Sequence, residues 1–169
     1  MVAFGAGLEG LPEVFRALGR IDPELRKAAI ANVRRVGGIV QAEARRNVPA
    51  AAPMSGWQRS RGSRSKWRWQ PGRVRSSIRV KVGTGSVKTG NIRLLRVVMG
   101  SPIGSVYDMA GRKSGGKTEA GRQMVRNLNG KARASRAMWP AAIKRRSDVE
   151  AALVEAVADM RKTVQRLVN

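Results

Sequence analysis

Two long stretches of the chain carry apolar side chains at helical spacing. In residues 23–47 they recur every three or four residues, at Leu25, Ala29, Val33, Val36, Val40 and Ala44. Asp22 and Pro23 suit a helix start, because aspartate caps free N–H groups and proline fits the first turn. The second stripe comprises Val149, Leu153, Val157 or Ala156, Met160, Val164 and Leu167. Ser147 and Glu150 before it have the spacing of a capping box. The pattern predicts two long amphipathic helices.

The first predicted helix contains two adjacent glycines, Gly37 and Gly38, in its middle. Each costs about 1 kcal/mol of helix stability relative to alanine. The pair therefore indicates either a close approach by a neighbouring element or a kink in the helix.

The region between the helices changes to a period of two. Val74, Ile78, Val80 and Val82 alternate with basic residues, which predicts a half-exposed strand. A turn-rich segment, 83–90, leads to a second predicted strand over 92–99, so the two form an antiparallel hairpin. We expect a third short strand over 105–110 and a short helix around 119–128.

The order of these elements favours one α+β domain spanning residues 1–169. Two long amphipathic helices pack on a small antiparallel sheet, because no strands alternate with helices in the way a parallel sheet requires. Long basic loops connect the elements.

Composition adds a strong positive charge to this scaffold. The 169 residues include 34 Lys and Arg against 11 Asp and Glu, a formal net charge of +23, and 25 of the cations are arginine. Such a balance indicates a polyanion or an acidic protein surface as partner. The absence of His and Cys excludes disulfides, thiolate metal sites and Ser-His or Cys-His catalysis. We therefore expect no enzyme and no cofactor.

Two loops concentrate the cations. Residues 49–72 form a basic Trp/Arg-rich arm, and residues 111–134 form a Gly-rich basic loop. Tryptophans interleaved with cations can stack on nucleic-acid bases or anchor a neighbouring subunit, and both interpretations remain open. The residues predicted to contact a subunit or partner are Trp57, Arg59, Arg61, Arg64, Lys66, Trp67, Arg68, Trp69, Arg112, Lys113 and Lys117.

Two further patterns have ordinary explanations. Residues 111–118 match the phosphate-loop pattern GxxxxGK[ST]. The 51 residues after Thr118 contain no apolar strand ending in aspartate to complete a metal site, so we interpret the match as a flexible basic loop. Asp108 lies in an otherwise apolar segment and is a candidate for a buried salt bridge with an arginine. No membrane partner is expected, because no stretch approaches the roughly 18 apolar residues of a span.

Four stretches, in this order, resemble the neck or tail-component family of long-tailed bacteriophages. They are AEARRNVP (42–49), PGRVRSSIRV (71–80), VYDMAG (106–111) and RASRAMWPAA (133–142), and the likeness covers about residues 12–165. The order and spacing of the stretches carry the match. The chain departs from the family in its basic insertion over 54–70 and in VYDMAG, where many relatives have a Glu-Gly pair.

This resemblance implies a structural virion protein made in the cytoplasm of the host bacterium. Proteins of the family sit at the head–tail junction, where they help to complete the tail or attach the head, and they are not enzymes. Their rings usually have sixfold or twelvefold symmetry. The implied partners are further copies of the chain and neighbouring connector, tail-terminator or tail-tube proteins, with DNA in the channel as another candidate. A basic nucleic-acid-binding protein is the alternative.

Overall fold

The computed structural model describes residues 23–58, 68–83, 95–113 and 115–168. This part of the chain contains six α-helices and a two-stranded antiparallel sheet, which confirms the predicted α+β class. The elements are α1 (Pro23–Arg46), α2 (Pro71–Ser77), β1 (Ile78–Val82), β2 (Leu95–Met99), α3 (Pro102–Met109), α4 (Glu119–Asn129), α5 (Met138–Lys144) and α6 (Arg146–Val168). A short 3-10 turn, Ser55–Trp57, lies between α1 and α2.

The sequence predicted one domain, and contacts within the chain divide it into two compact units. The described residues of the first unit are 23–40, 80–83, 95–97 and 145–168. Those of the second unit are 41–58, 68–79, 98–113 and 115–144. Helix α1 and both strands are divided between the two units, so each unit contains a part of all three elements.

An apolar contact between α1, the sheet and α6 holds the first unit. Ala29 and Val33 are buried, and Val82, Leu95 and Met160 pack against them. These residues come from the predicted helical stripes and strands, so periodicity alone identified this core.

Gly37 allows α1 to lie close to the sheet. A Cβ atom at this position would lie 2.7 Å from Val80 Cγ1 and 2.8 Å from Leu95 Cδ1, well inside van der Waals contact. A Cβ at Gly38 would meet nothing within 4 Å. The glycine pair thus marks a close approach, one of the two expected explanations, and only Gly37 makes it.

The chain forms helix α2 where the sequence predicted the start of the first strand. Pro71 occupies the first helical turn, where its missing N–H costs nothing, and Val74 and Ile78 are buried four residues apart. That spacing is helical, whereas period two holds only from Ile78 to Val82. The second strand begins at Leu95, and the turn over 84–90 with residues 91–94 lies outside the described residues.

The predicted third strand over 105–110 is wrong, because this segment is part of helix α3. Ser101 caps the helix by accepting a hydrogen bond from the Gly104 N–H, and Pro102 begins it. Ile103 and Tyr107 are buried one turn apart. Helix α4 matches the short helix expected around 119–128.

The last helix starts without the predicted capping box. Ser147 and Glu150 lie inside α6, and the Glu150 carboxylate accepts a hydrogen bond from Arg146 Nε at 2.7 Å. Helix α5 precedes α6, so the helical segment begins near Trp139. Of the two alternatives for the stripe, Ala156 is buried and Val157 is exposed. No described helix is long and apolar enough to cross a membrane.

Candidate assembly surface

The two described tryptophans of the basic arm lie inside the second unit. Trp57 and Trp69 stack with ring centroids 5.7 Å apart, and Trp69 meets Tyr107 edge-on at 5.4 Å. The Trp69 indole N–H donates to the Pro49 carbonyl at 3.1 Å. Both rings are buried by this chain's own residues, whereas the sequence predicted partner contacts for them, because large aromatic surfaces that can reach each other pack together.

The rest of the arm divides into exposed and undescribed parts. Arg68 is exposed. The remaining predicted contact residues, Arg59, Arg61, Arg64, Lys66 and Trp67, lie outside the described residues.

Two arginines join the end of α1 to α2 and β1. Arg45 donates to the carbonyls of Arg75 at 3.0 Å and Ile78 at 2.9 Å. Arg75 in turn donates to the Val48 carbonyl at 2.8 Å. The guanidinium groups thereby add hydrogen bonds to carbonyls at and just beyond the ends of these helices. The sequence placed Arg75 on the outer face of a strand, so this contact was not predicted.

Arg136 is buried in the second unit, with only 5% of the residue exposed. Its guanidinium donates to carbonyls at the ends of α3 and α4 and to the Asn129 side chain. The acceptors are Tyr107 O at 2.7 Å, Ala110 O at 3.1 Å, Leu128 O at 3.3 Å, Ala132 O at 2.9 Å and Asn129 Oδ1 at 2.8 Å. Burial lowers the pKa of Arg136, although the charges of Tyr107 and Asp108 partly offset this effect. A rigid fork of donors suits such a cluster of acceptors.

Asp108 is buried, as expected, but its carboxylate partners are backbone groups. Asp108 Oδ1 accepts from the N–H of Ala137 at 2.6 Å and of Met138 at 3.1 Å, so it caps the start of α5. Its backbone carbonyl accepts from the N–H of Ser135 and Arg136. Instead of the predicted salt bridge, Arg136 acts on Asp108 through longer-range electrostatic attraction.

Glu43 is a buried acid near the end of α1. Only 3% of its side chain is exposed, and it pairs with Lys144 Nζ at 2.7 Å and Arg46 at 3.4 Å. The signal was its position, since Glu43 follows Val36 and Val40 at the seven- and three-residue spacings of the apolar stripe. The helix face that buries apolar residues also buries this carboxylate.

Exposed cations dominate the surface of the second unit. Its described residues include 15 Lys and Arg but three acids. Glu43 and Asp108 are buried, and Glu119 pairs with Arg122 and Arg126. Within the described part of the chain, no ion pair is seen for the exposed cations Arg68, Arg73, Arg79, Arg112, Lys113, Lys117, Lys131 and Arg133. This surface is therefore suited to an anionic partner.

The phosphate-loop pattern lies between two helices. Helix α3 precedes it, whereas a phosphate loop follows a strand. Thr118 caps α4 by accepting from the Gly121 N–H at 3.1 Å, and Lys117 is exposed. The described residues around 111–118 therefore lack the strand that precedes a phosphate loop.

Helix α5 exposes large apolar side chains on the second unit. Trp139 and Ile143, one turn apart, are among the large apolar residues exposed on this chain. Large exposed apolar groups beside polar residues often mark contact sites for other molecules. Across the described ranges, no three acidic side chains come together where they could hold a metal ion.

The chain as a whole was compared with known proteins. It matches no protein-family model, no curated protein sequence and no solved structure.

Proposed function

We propose that the chain is a structural protein of the bacteriophage head–tail junction, which assembles as a ring between the connector and the tail tube. Its second unit carries the contact surface for neighbouring virion proteins, and it performs no covalent chemistry.

The observation that carries this proposal is the convergence of the four stretches that resemble the family. Arg45 of the first stretch holds two carbonyls of the second, and Asn47 donates to the Ala137 carbonyl of the fourth at 3.1 Å. Asp108 of the third stretch caps the fourth. These hydrogen bonds join the four stretches within the second unit. Their convergence supports the view that the matched residues hold one structural unit together.

The exposed residues of the second unit support an assembly role for it. Packed contacts between proteins draw on aromatic residues and arginine, which Trp139 and the exposed arginines of the second unit supply. An acidic neighbour would also lower the self-repulsion of a chain with a net charge of +23.

Electron microscopy of virions tests the proposal. A phage that lacks this protein should yield filled heads and separate tails, and the wild-type chain supplied in trans should restore joined particles. The double variant Trp139→Ser/Ile143→Ser should restore few of them. A matched control, Gln123→Ser/Asn127→Ser, changes two exposed residues one turn apart on α4 and should restore wild-type numbers. Normal virions without the protein would refute the proposal.

Nucleic-acid binding is a second candidate, favoured by the cations of the 111–118 loop that have no acidic partner in the described residues. For binding to double-stranded DNA, the logarithm of the association constant falls linearly with the logarithm of the salt concentration. Each Lys or Arg that contacts a phosphate contributes about 0.9 to the size of that slope. The variant Arg112→Ser/Lys113→Ser/Lys117→Ser should therefore reduce the slope by about 2–3. Replacing the exposed residues Arg34, Lys81 and Lys162 of the first unit by serine changes the net charge equally and should leave most of the slope unchanged.

The arm requires its own test. Serine at positions 59, 61, 64 and 66 removes the undescribed cations but keeps Trp57 and Trp69, whose loss would disrupt the core. Undiminished affinity in both sets of variants would count against DNA as a partner.

A further inference from the structure

Helix α6 differs in charge from the rest of this basic chain. Its 23 residues carry four acids and four bases, so its net charge is zero. The acids are Asp148, Glu150, Glu155 and Asp159, and the bases are Arg146, Arg161, Lys162 and Arg166. All four acids lie between residues 148 and 159, and three of the four bases follow them, so the helix has an acidic segment followed by a basic end. Two copies of a chain with a net charge of +23 could meet along this helix with little repulsion.

The outer face of α6 also exposes apolar side chains. Val154 is 71% exposed and Val157 is 44% exposed. A different side of the helix faces its own unit, where Ala156 is buried and Met160 packs against the Ala29–Val33 cluster. The two valines therefore belong to a second face that the first unit does not cover.

Charged and apolar positions on this outer face form a symmetrical pattern. Glu150, Val154, Val157 and Arg161 fall within an arc of about 60° at 3.6 residues per turn. The midpoint of the pattern lies between Val154 and Val157. Glu150 and Arg161 are equally far from that midpoint, one on each side.

We propose that α6 binds α6 of a second copy in antiparallel orientation, through Glu150, Val154, Val157 and Arg161. Val154 then faces Val157 of the second copy, and Glu150 faces its Arg161. A parallel arrangement would set Glu150 against Glu150 and Arg161 against Arg161, so charge selects the antiparallel one. Glu150 also forms an ion pair with Arg146 of its own helix. Both side chains are exposed, so this pair competes only weakly with the contact between the two copies.

This contact is independent of the proposed function and differs from a ring contact. The same patch is used on both copies, so the association closes at two. One helix on each side makes a small interface, and we expect micromolar rather than nanomolar affinity. The free chain is then a weak dimer.

A charge swap tests the contact in the full-length protein by sedimentation velocity over a concentration series. Glu150→Arg or Arg161→Glu alone turns two attractive pairs of the dimer into repulsive ones and should weaken association about tenfold. The double variant Glu150→Arg/Arg161→Glu should return to near wild-type affinity. Glu155→Arg, which makes the same charge change about 130° around the helix, should have little effect on dimer formation. A monomeric wild type, or single variants that associate as well as wild type, would overturn the proposal.

Disulfide trapping provides a second measurement that also works in a larger assembly, because the chain has no cysteine. A mixture of Val154→Cys and Val157→Cys proteins should form the mixed disulfide faster than either protein links to itself. Faster linkage of each variant to itself indicates a parallel pair and contradicts the antiparallel contact. Absence of linkage in all three samples contradicts any contact at this face.

Discussion

The two units of the molecule use different means to hold their elements together. In the first unit the buried side chains that the structure describes are apolar, among them Ala29, Val33, Val36 and Ala156. Every buried charged side chain of the described residues lies in the second unit, namely Glu43, Asp108 and Arg136. The second unit also contains most of the buried apolar residues that the structure describes, so what sets it apart is that it adds buried charged side chains to an apolar core.

This difference predicts how each unit responds to substitution. Loss of one methyl group from an apolar contact removes a fraction of its energy. Loss of a buried guanidinium leaves several carbonyls without a hydrogen-bond donor at the same time. Single replacements should accordingly have their largest effect in the second unit.

The largest effect is expected for Arg136→Met. The substitution keeps an apolar stem but removes the donors to Tyr107, Ala110 and Ala132, and it should lower the free energy of unfolding by about 3–5 kcal/mol. Urea unfolding of the full chain measures the change. Arg133→Met is the matched control, because Arg133 is exposed and its replacement should change stability by less than about 0.5 kcal/mol. Similar losses in both variants would show that the buried network adds little.

The first unit should respond most strongly at Gly37. Gly37→Ala places a methyl group against Val80 and Leu95, and we expect a net loss of about 1–2 kcal/mol after the gain in helix propensity. Gly38→Ala meets no atom within 4 Å and should stabilise the chain by about 0.5–1 kcal/mol. Thermal unfolding of both variants measures whether each substitution lowers or raises the stability of the chain. Stabilisation by both would mean that α1 does not approach the sheet closely.

The first unit was largely predictable from the sequence, and the reason is physical. Apolar positions at spacings of three and four leave a helix one way to bury them, so Ala29, Val33 and Met160 were identified without a structure. In the second unit, Pro71 and Ser101 also mark the starts of helices. The segments that follow them are short and also fit a period-two pattern, which predicts a strand instead. Short apolar runs do not distinguish a strand from a single helical turn.

The junction of the second unit could not be predicted in the same way. Asp108 was recognised as unusual, but its partners lie about 30 residues away along the chain. Arg136 is one of 25 arginines, and nothing in its neighbourhood sets it apart. A buried polar group is defined by acceptors brought together by folding, so a pattern along the chain does not identify it.

A third prediction concerns Tyr107, the chain's only tyrosine. Burial raises its pKa above 10.0, although the Arg136 charge partly offsets this effect. Because the folded state favours the neutral phenol, this stabilisation is complete below pH 10 and is lost as pH rises through the folded pKa. Tyr107→Phe cannot ionise, so wild type should lose stability relative to this variant above pH 10.

Unfolding measurements of both proteins across that range check the sign, and tyrosinate absorbance reports Tyr107 alone. A constant stability difference from neutral to strongly alkaline pH would show that the phenol is not desolvated by the second unit.

The smallest change in stability is expected at Ser135, where substitution tests whether the backbone of the second unit is strained. Ser135 has φ +66°, a left-handed conformation that costs a residue with a Cβ about 1 kcal/mol. Its N–H donates to the Asp108 carbonyl, which holds the backbone in this position, and glycine would keep that hydrogen bond. Ser135→Gly should therefore stabilise the chain by about 0.5–1 kcal/mol in urea unfolding. Ala134→Gly, at a position without positive φ, should destabilise it by a similar amount. If both glycines destabilise, Ser135 is unstrained, and the buried side chains alone hold the junction.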